Sequence, residues 1–215
     1  MGVAERKERH KEDLKKDILT AAKQLFTEKG FEATSIRAIA EKIEYSPATI
    51  YLYYKDKNEI VHALHQDGFN LLMQHFSKIH FEQSAFSRLK ALGKAYMQFA
   101  FEHPDVYTLI FSMKEPMQHV TDCEKEWHEG DRAFSLLYRT VEECKQEGYF
   151  KGLESVGLSF TIWSTMHGLC TLHTSGHLEH MTTACAEVKE LKMDVDALLN
   201  HNFETFNSLL EKLKN

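Results

Sequence analysis

The chain has 215 residues, of which 27% are charged, and its formal net charge is −6. Proteins that coat nucleic acid along their whole length are strongly basic, so this charge excludes that class. Only 3 prolines and 10 glycines are present, and no alternating apolar run predicts a strand, so the composition favours an all-α fold. The length fits one or two domains and is sufficient to bury a core.

The charge is distributed unevenly. Residues 1–58 carry 12 basic and 10 acidic side chains, a net charge of +2, whereas the remainder carries −8. A mildly basic segment attached to an acidic one suits local, oriented contact with DNA rather than nonspecific coating. The four cysteines form no CxxC pair, and no apolar run is long enough to span a membrane. We therefore expect a soluble, cytoplasmic protein with reduced thiols.

The first predicted elements are a polar arm and a helix. Residues 1–11 are predicted to form an arm that is either a frayed terminus or a contact to the DNA minor groove. The helix that follows runs to Lys29 and is ended by Gly30, with Phe31 as its apolar C-terminal contact. Its apolar stripe consists of Leu14, Ile18, Ala21, Ala22, Leu25 and Phe26.

The next stretch predicts a helix-turn-helix. A short helix spans Ser35 to Ile43, with Thr34 predicted as its N-cap. A second begins at Ser46-Pro47, because a serine N-cap followed by proline at the first helical position is a strong start pattern. The connection of Ile43, Glu44 and Tyr45 is short enough to be a tight turn. In such a motif the second helix enters the DNA major groove.

The residues from Ile18 to Val61 resemble the DNA-binding domain of TetR-type transcriptional regulators. The matching landmarks are Gly30, Thr34, Arg37, Ile39-Ala40, Ser46, Thr49-Ile50-Tyr51, Tyr53-Tyr54 and Lys57. The chain departs from the pattern at Glu44, where the family usually carries glycine. A non-glycine residue in a left-handed turn costs about 1–2 kcal/mol.

The resemblance implies a set of DNA contacts. Small or flat side chains on the second helix suit close approach to base edges, and hydroxyl and cationic groups suit phosphates. Base-edge contacts would come from Pro47, Ala48 and Tyr51. The complete set of expected DNA-binding residues is Thr34, Ser35, Arg37, Ser46, Pro47, Ala48, Thr49, Tyr51, Tyr53 and Lys57.

Further helices follow along the chain. A long helix after Asn58 links a head of residues 1–58 to a body of residues 59–215. Another spans about Phe86 to Phe101, and the sequence His103-Pro104-Asp105 interrupts the pattern before a short helix. The segment from Lys114 to about Cys123 is predicted as a loop, followed by a helix to Gly148.

The last two predicted helices suggest a dimer. The helix from Gly157 to about Ser175 is apolar nearly all round, and the helix from about Val195 to Leu213 has a wide apolar stripe. A symmetric interface would cover both. The resemblance agrees, because TetR-type proteins pair their last two helices in a four-helix bundle. The run from Trp163 to Gly168, which includes His167, is also similar to the Trp-His-Gly element of one subgroup.

Two interpretations of the body remain. In the first, an apolar or amphipathic effector binds among Tyr96, Phe111, Trp127, Tyr138, Trp163 and His167, and releases a homodimeric, non-catalytic repressor from a palindromic operator. In the second, the chain is a helical enzyme or metal-binding protein that uses His167, Cys170 and His173. We favour the first and expect no cofactor or metal. No HExxH motif is present, and no orienting Asp or Asn shares a helical face with His167 and Cys170.

Overall fold

The computed structural model describes residues 2–79, 84–114 and 128–214. Within these ranges every regular element is a helix, apart from one isolated bridge between Tyr149 and Lys214. The predicted all-α fold is therefore confirmed. The helices are α1 (Val3–Lys29), α2 (Ile36–Lys42), α3 (Pro47–Tyr51), α4 (Lys57–Ser77), α5 (Ala85–Glu102), α6 (Pro104–Ser112), α7 (His128–Gln146), α8 (Ser155–Thr174), α9 (His177–Ala184), α10 (Ala186–Glu190) and α11 (Val195–Glu211).

The described residues form two compact units. The first unit comprises those within Met1–Asn70 and Asp105–Glu129, and the second comprises those within Leu71–Pro104 and Gly130–Asn215. The long helix α4 continues without a break through Asn70, as its sequence pattern predicts. Nowhere in the described ranges is a helix both long enough and apolar enough to cross a membrane.

The core of the first unit is built on the stripe of α1. All six predicted stripe residues are buried, and Ile39, Ala40 and Ile50 from the helix-turn-helix are each 0% exposed. Full burial of one such aliphatic side chain stabilises the fold by about 1.5–3 kcal/mol. Gly30 ends α1 at φ 81°, and the Phe31 ring packs 5.4 Å from that of Phe26, as predicted.

The N-terminal arm was predicted wrongly as a separate segment, because α1 begins at Val3. The residues concerned are mostly Glu, Lys and Arg, which have high intrinsic helix propensity. The Glu5 carboxylate also accepts a hydrogen bond from Gly2 N at 2.7 Å, which caps the helix start. The side chains from Glu5 to Asp13 are exposed, so this part of α1 is helical without being packed.

Within the first unit, α4 and α6 approach each other at Gly68. A Cβ atom at this position would lie 2.4 Å from Ile110 Cγ2 and 3.0 Å from Val106 Cγ1. Real Cβ atoms do not pack that closely, so only glycine allows this contact. Lys23 of α1 also forms an ion pair with Asp105 of α6 at 2.7 Å, so α1 is linked to α6 as well.

The second unit has a core formed by α5, α7, α8 and α11. Its central pair is Phe86 and Tyr149, whose rings stack at 4.6 Å and an interplanar angle of 5°. Phe86, Leu89, Val141, Cys144, Tyr149, Phe150, Leu158, Ile162 and Leu210 belong to this core. Glu147, directly after α7, accepts a hydrogen bond from Ala85 N at 2.8 Å, and this contact fixes the start of α5.

The expectations for the last helices are partly wrong. Most of the α11 stripe, including Leu198, Phe203 and Leu210, is covered inside its own unit, which leaves Leu209 and Leu213 exposed. Phe203 packs against Gly93 of α5, where a Cβ atom would lie 3.0 Å from the Phe203 ring, and α11 also contacts α9. The periodicity of α11 does not specify either contact. Two short helices, α9 and α10, also separate α8 from α11 and were not predicted.

Candidate functional site

The two helices of the helix-turn-helix begin at serine caps. Ser46 Oγ accepts a hydrogen bond from Thr49 N at 3.2 Å, and Pro47 occupies the first position of α3, as predicted. The cap of α2 is Ser35, whose Oγ accepts from Ala38 N at 3.1 Å. The prediction that Thr34 caps α2 is therefore wrong by one residue. Serine at the N-cap satisfies one of the helix's otherwise free N–H groups in each case.

The turn between α2 and α3 is a Schellman motif. Tyr45 N donates to Ala40 O at 2.9 Å, and Glu44 N donates to Glu41 O at 3.2 Å. The motif places its C′ residue in the left-handed region, and Glu44 has φ 60° there. The expectation that Glu44 adopts a left-handed conformation is confirmed. The turn thus keeps its geometry at the expense of backbone strain.

The N-terminal side of α3 is open. Pro47 and Ala48 are exposed, and Tyr51 is 57% exposed, whereas Ile50 on the opposite side is completely buried. Ser46 Oγ and Thr49 Oγ1 lie 3.0 Å apart at the start of the helix. The helix therefore presents small and hydroxyl-bearing groups outward while one isoleucine anchors it to the core.

Polar side chains surround α3 on neighbouring elements. Ser35 and Arg37 are exposed on α2, and Tyr53 is half-buried directly after α3. Arg37 Nε donates to Glu41 Oε1 at 3.0 Å, but both side chains are exposed, so the pair contributes little to stability. The Arg37 guanidinium can therefore exchange this partner for another anion at small cost.

Two expected DNA contacts are instead directed into the protein. The Thr34 side chain is buried, and its hydroxyl donates to Gly30 O at 2.8 Å and Leu25 O at 3.2 Å. Lys57 Nζ donates to Phe31 O at 2.5 Å and to Thr34 O at 2.9 Å. Both side chains therefore hold the loop between α1 and α2 in this structure, a role that their sequence positions did not indicate.

The start of α4 is capped by its own acidic residues. Glu59 N donates to Asp56 Oδ1 at 2.9 Å, as expected for a capping residue. The Glu59 carboxylate accepts a hydrogen bond from Lys55 N at 2.6 Å rather than from Asp56 N, so the two residues do not form a complete capping box. These bonds fix the entry to α4 immediately after the helix-turn-helix.

In the second unit, three of the expected effector-binding residues meet. Tyr96 OH lies 3.0 Å from His167 Nδ1, and Trp163 Nε1 donates to Tyr96 OH at 3.4 Å. The Tyr96 hydroxyl accepts a hydrogen bond from the Trp163 indole, and its own proton can then be donated to His167 Nδ1. Burial lowers the pKa of His167, which agrees with a neutral ring that accepts at Nδ1. The three side chains thus form a short polar chain between α5 and α8.

Aromatic rings continue beside this polar chain. The Trp163 ring lies 6.0 Å from that of Phe160 and 6.4 Å from that of Phe134. The sequence reasoning missed Phe160, although its place three residues before Trp163 puts both on one side of α8. Tyr138 is half-buried on α7.

The other expected effector residues are placed differently. Phe111 belongs to the first unit, where its ring lies 5.5 Å from that of Phe69 and 5.2 Å from that of Tyr107. Trp127 lies outside the described residues. The structure therefore brings Tyr96, Trp163 and His167 together within the second unit.

Two family profiles match the chain in succession. Residues 18–64, which contain the helix-turn-helix, match the family described as "Bacterial regulatory proteins, tetR family". Residues 89–195 match the family described as "Tetracyclin repressor-like, C-terminal domain". The first range lies on the serine-capped helices described above, and the second runs from α5 to the start of α11. The chain belongs to the TetR family.

Individual relatives support the assignment to the TetR family. The chain is similar to YvkB, an HTH-type transcriptional regulator of Bacillus subtilis (strain 168), with 49% identity over 49 residues. That match covers 23% of this chain and 26% of YvkB, so the chain spans about a quarter of this relative. An HTH-type transcriptional regulator of Haemophilus influenzae is 24% identical over 169 residues, which cover 78% of this chain and 82% of the relative.

The fold is also that of TetR family proteins of known structure. The fatty acid degradation regulator FadR from Bacillus halodurans has a TM-score of 0.65, with 20% identity over 88% of this chain and 92% of that chain. A TetR-like transcriptional regulator from Rhodococcus sp. RHA1 has a TM-score of 0.61 and 19% identity, over 87% of this chain and 90% of that chain. At these identities the likeness establishes the fold.

The alternative interpretation, a helical enzyme or metal-binding protein, relied on His167, Cys170 and His173. These residues do not form a reactive group in this TetR family protein. Cys170 is completely buried, and burial raises the pKa of its thiol to about 12. A thiol with such a pKa does not supply the thiolate that nucleophilic catalysis or metal binding needs. His167 is hydrogen-bonded to Tyr96, and the His173 ring packs edge-on against the Phe101 ring, with 4.3 Å between the ring centres.

Proposed function

We propose that this TetR family protein is a repressor that binds a palindromic operator as a homodimer and is released by a small apolar or amphipathic effector. The observation that carries the proposal is the open N-terminal side of α3, where Pro47, Ala48 and Tyr51 are exposed over a buried Ile50. A helix with this surface can approach base edges closely without displacing large side chains. The protein would act in the cytoplasm and without catalysis.

The proposed DNA contacts divide into two groups. Pro47, Ala48 and Tyr51 meet base edges, where apolar atoms can touch thymine methyl groups. Phosphate contacts come from the exposed or half-exposed polar groups around α3, which are Ser35, Arg37, Ser46, Thr49 and Tyr53. Thr34 and Lys57 support these groups from inside the head. This division assigns DNA binding to residues 1–58 and effector binding and dimerisation to residues 59–215.

The proposed dimer uses the exposed face of α8 together with α11. The exposed residues of α8 include Phe160, Leu172 and the intervening Gly168, which are at helical spacing. Leu209 of α11 is 57% exposed, so it also lacks cover within its own chain. An apolar face of this kind is stabilised when a second copy excludes water from it. In a twofold dimer, the two α3 helices must reach half-sites about 34–36 Å apart.

The proposed effector site is centred on Tyr96, Trp163 and His167. Aromatic rings on α7 and α8 supply apolar contact area, and the phenol and imidazole supply one polar end, which suits an amphipathic molecule. A regulator of fatty acid degradation has the same fold. Fatty acids and their acyl esters are therefore the first ligands to test. We also infer that Trp163, His167 and Gly168 mark the Trp-His-Gly subgroup of the family.

DNA binding is tested by selecting bound duplexes from a random pool and measuring the affinity of variants for the selected site. Tyr51→Ala should reduce specific affinity by about tenfold or more, because each good base contact contributes about 1–3 kcal/mol. Gln98→Ala, an exposed change on α5, is the matched control and should bind as the wild type does. Failure to enrich any sequence would disprove the proposal.

Effector binding is tested by tryptophan fluorescence with fatty acids, repeated in the presence of the selected operator. An effector that releases DNA must bind the free protein more tightly than the complex, by the same factor as it weakens DNA binding. Tyr96→Phe keeps the ring but removes the hydroxyl between Trp163 and His167, so it should weaken binding of the polar end. A ligand that binds equally with and without operator would contradict the proposed switch.

A further inference from the structure

Three potential metal ligands meet at the ends of two helices in the second unit. His75 lies in the last turn of α4, Glu102 is the last residue of α5, and His103 is the C-cap of α5. One ligand atom from each lies within 4.8 Å of the other two. His75 Nε2 is 3.8 Å from Glu102 Oε2. The sequence reasoning considered histidines near the end of α8 and missed this group, in which His75 lies 27 residues before Glu102.

We propose that His75, Glu102 and His103 bind a divalent transition-metal ion of the zinc class. Two imidazoles and one carboxylate are a common three-ligand set for Zn²⁺, with the remaining position open to water. Ca²⁺ and Mg²⁺ prefer shells made of oxygen atoms, so a set with two nitrogens and one carboxylate does not suit them. The site is separate from the proposed DNA-binding and effector-binding residues.

The histidine rings are held in place before any ion binds. The buried His75 ring packs edge-on against Phe99 at 5.8 Å and against His103 at 5.6 Å. Packing of this kind limits the rotamers of His75, so less side-chain freedom is lost when an ion binds. The Glu102 side chain is 59% exposed, and it therefore leaves a path for the ion from solvent.

The local field also favours a cation. The cluster lies at the C-terminal ends of both α4 and α5, where unpaired carbonyl groups carry partial negative charge. The Glu102 carboxylate adds a full negative charge. The opposing charge on Lys78 is exposed and therefore screened by solvent.

An ion at this site joins the end of α4 to the end of α5. The chain turns into α6 at Pro104, directly after His103. Any ligand that binds the folded protein and not the unfolded chain raises the temperature of unfolding as its concentration increases. The bound ion is thus expected to stabilise this corner and to be detectable without DNA or effector.

The test uses the full chain without a histidine tag, stripped with a chelator and titrated with Zn²⁺ or Co²⁺. Calorimetry should give one ion per chain, and Zn²⁺ should raise the temperature of unfolding. Glu102→Gln and His103→Ala change groups that are not fully buried, so both variants should fold. Each should weaken Zn²⁺ binding by about tenfold or more, whereas His177→Ala, an exposed histidine on α9, should not.

Three results would overturn the proposal. The first is an absence of stoichiometric Zn²⁺ binding to the stripped wild type. The second is unchanged affinity in both Glu102→Gln and His103→Ala, which would place any bound ion elsewhere. The third is the intense near-ultraviolet charge-transfer absorption of Co²⁺–thiolate bonds, because it would show that cysteine holds the ion rather than this nitrogen and oxygen set.

Discussion

The Lys57 ammonium lies 4.0 Å from the centre of the Phe31 ring, over its face. The same nitrogen donates hydrogen bonds to Phe31 O and Thr34 O, so one side chain at the start of α4 holds the connection between α1 and α2. Cation–π contact and charged hydrogen bonds act together here. A residue expected to hold a phosphate therefore also holds the head in shape.

Lys57→Ala should lower the free energy of unfolding by about 1.5–3 kcal/mol, because hydrogen bonds to charged groups contribute about that much. Lys55→Ala, an exposed lysine two residues earlier, should change it by less than about 0.5 kcal/mol. Urea denaturation of both variants gives the comparison. Equal stability of the two would mean that the bonds to Phe31 and Thr34 contribute nothing.

Glu44→Gly should stabilise the head. The left-handed conformation at φ 60° costs a residue with a Cβ about 1–2 kcal/mol, and glycine avoids this cost. The greater freedom of glycine in the unfolded chain offsets up to about 1 kcal/mol of the gain. Glu44→Ala keeps the Cβ and should show no gain, so thermal melting of both variants separates backbone strain from loss of the carboxylate.

Gly68→Ala should destabilise the first unit by about 1–3 kcal/mol, the usual range for overpacking. The added methyl would lie 2.4 Å from Ile110 Cγ2 and 3.0 Å from Val106 Cγ1. Ile110→Ala removes the atom that the added methyl would meet. Gly68→Ala should therefore lower the free energy of unfolding by less in the Ile110→Ala variant than in the wild type. Strictly additive losses in denaturant would show that the two positions do not contact each other.

Stability should fall as the pH drops from about 6.5 to 4. Burial lowers the pKa of His65 from 6.5 to about 4, with a further contribution from nearby His62. Between these values the unfolded state binds a proton that the folded state does not, so acid favours unfolding by up to about 3 kcal/mol. His65→Leu should reduce the slope of stability against pH in this range. An unchanged slope would mean that His65 titrates normally in the fold.

Local patterns in the sequence predicted the helix-turn-helix well. Ser46-Pro47 marks the start of α3, because an N-cap involves residues only two or three apart. The left-handed conformation of Glu44 was expected from the resemblance, in which glycine usually stands at this position. The role of Lys57 could not be predicted in this way. Its partners are 23 and 26 residues distant, in the loop between α1 and α2, and only the tertiary fold brings the start of α4 to this loop.

The same limit applies to the body of the chain. The pattern of α11 showed which residues are apolar but not that Phe203 would pack against Gly93 of α5. The polar chain of Tyr96 and His167 joins residues 71 apart, and their periodicities indicate only that each faces inward. Which partners meet at an inward face depends on helix packing, and a single sequence does not specify it.

The left-handed glutamate in the turn has a genetic consequence. Both glutamate codons become glycine codons through one change at the second base, so relief from the strain at Glu44 is a single point mutation away. Random mutagenesis followed by a screen for variants of this protein that stay folded at higher temperature should therefore recover this codon change early. The backbone strain in the turn between α2 and α3 is thus a property that a single nucleotide change can remove.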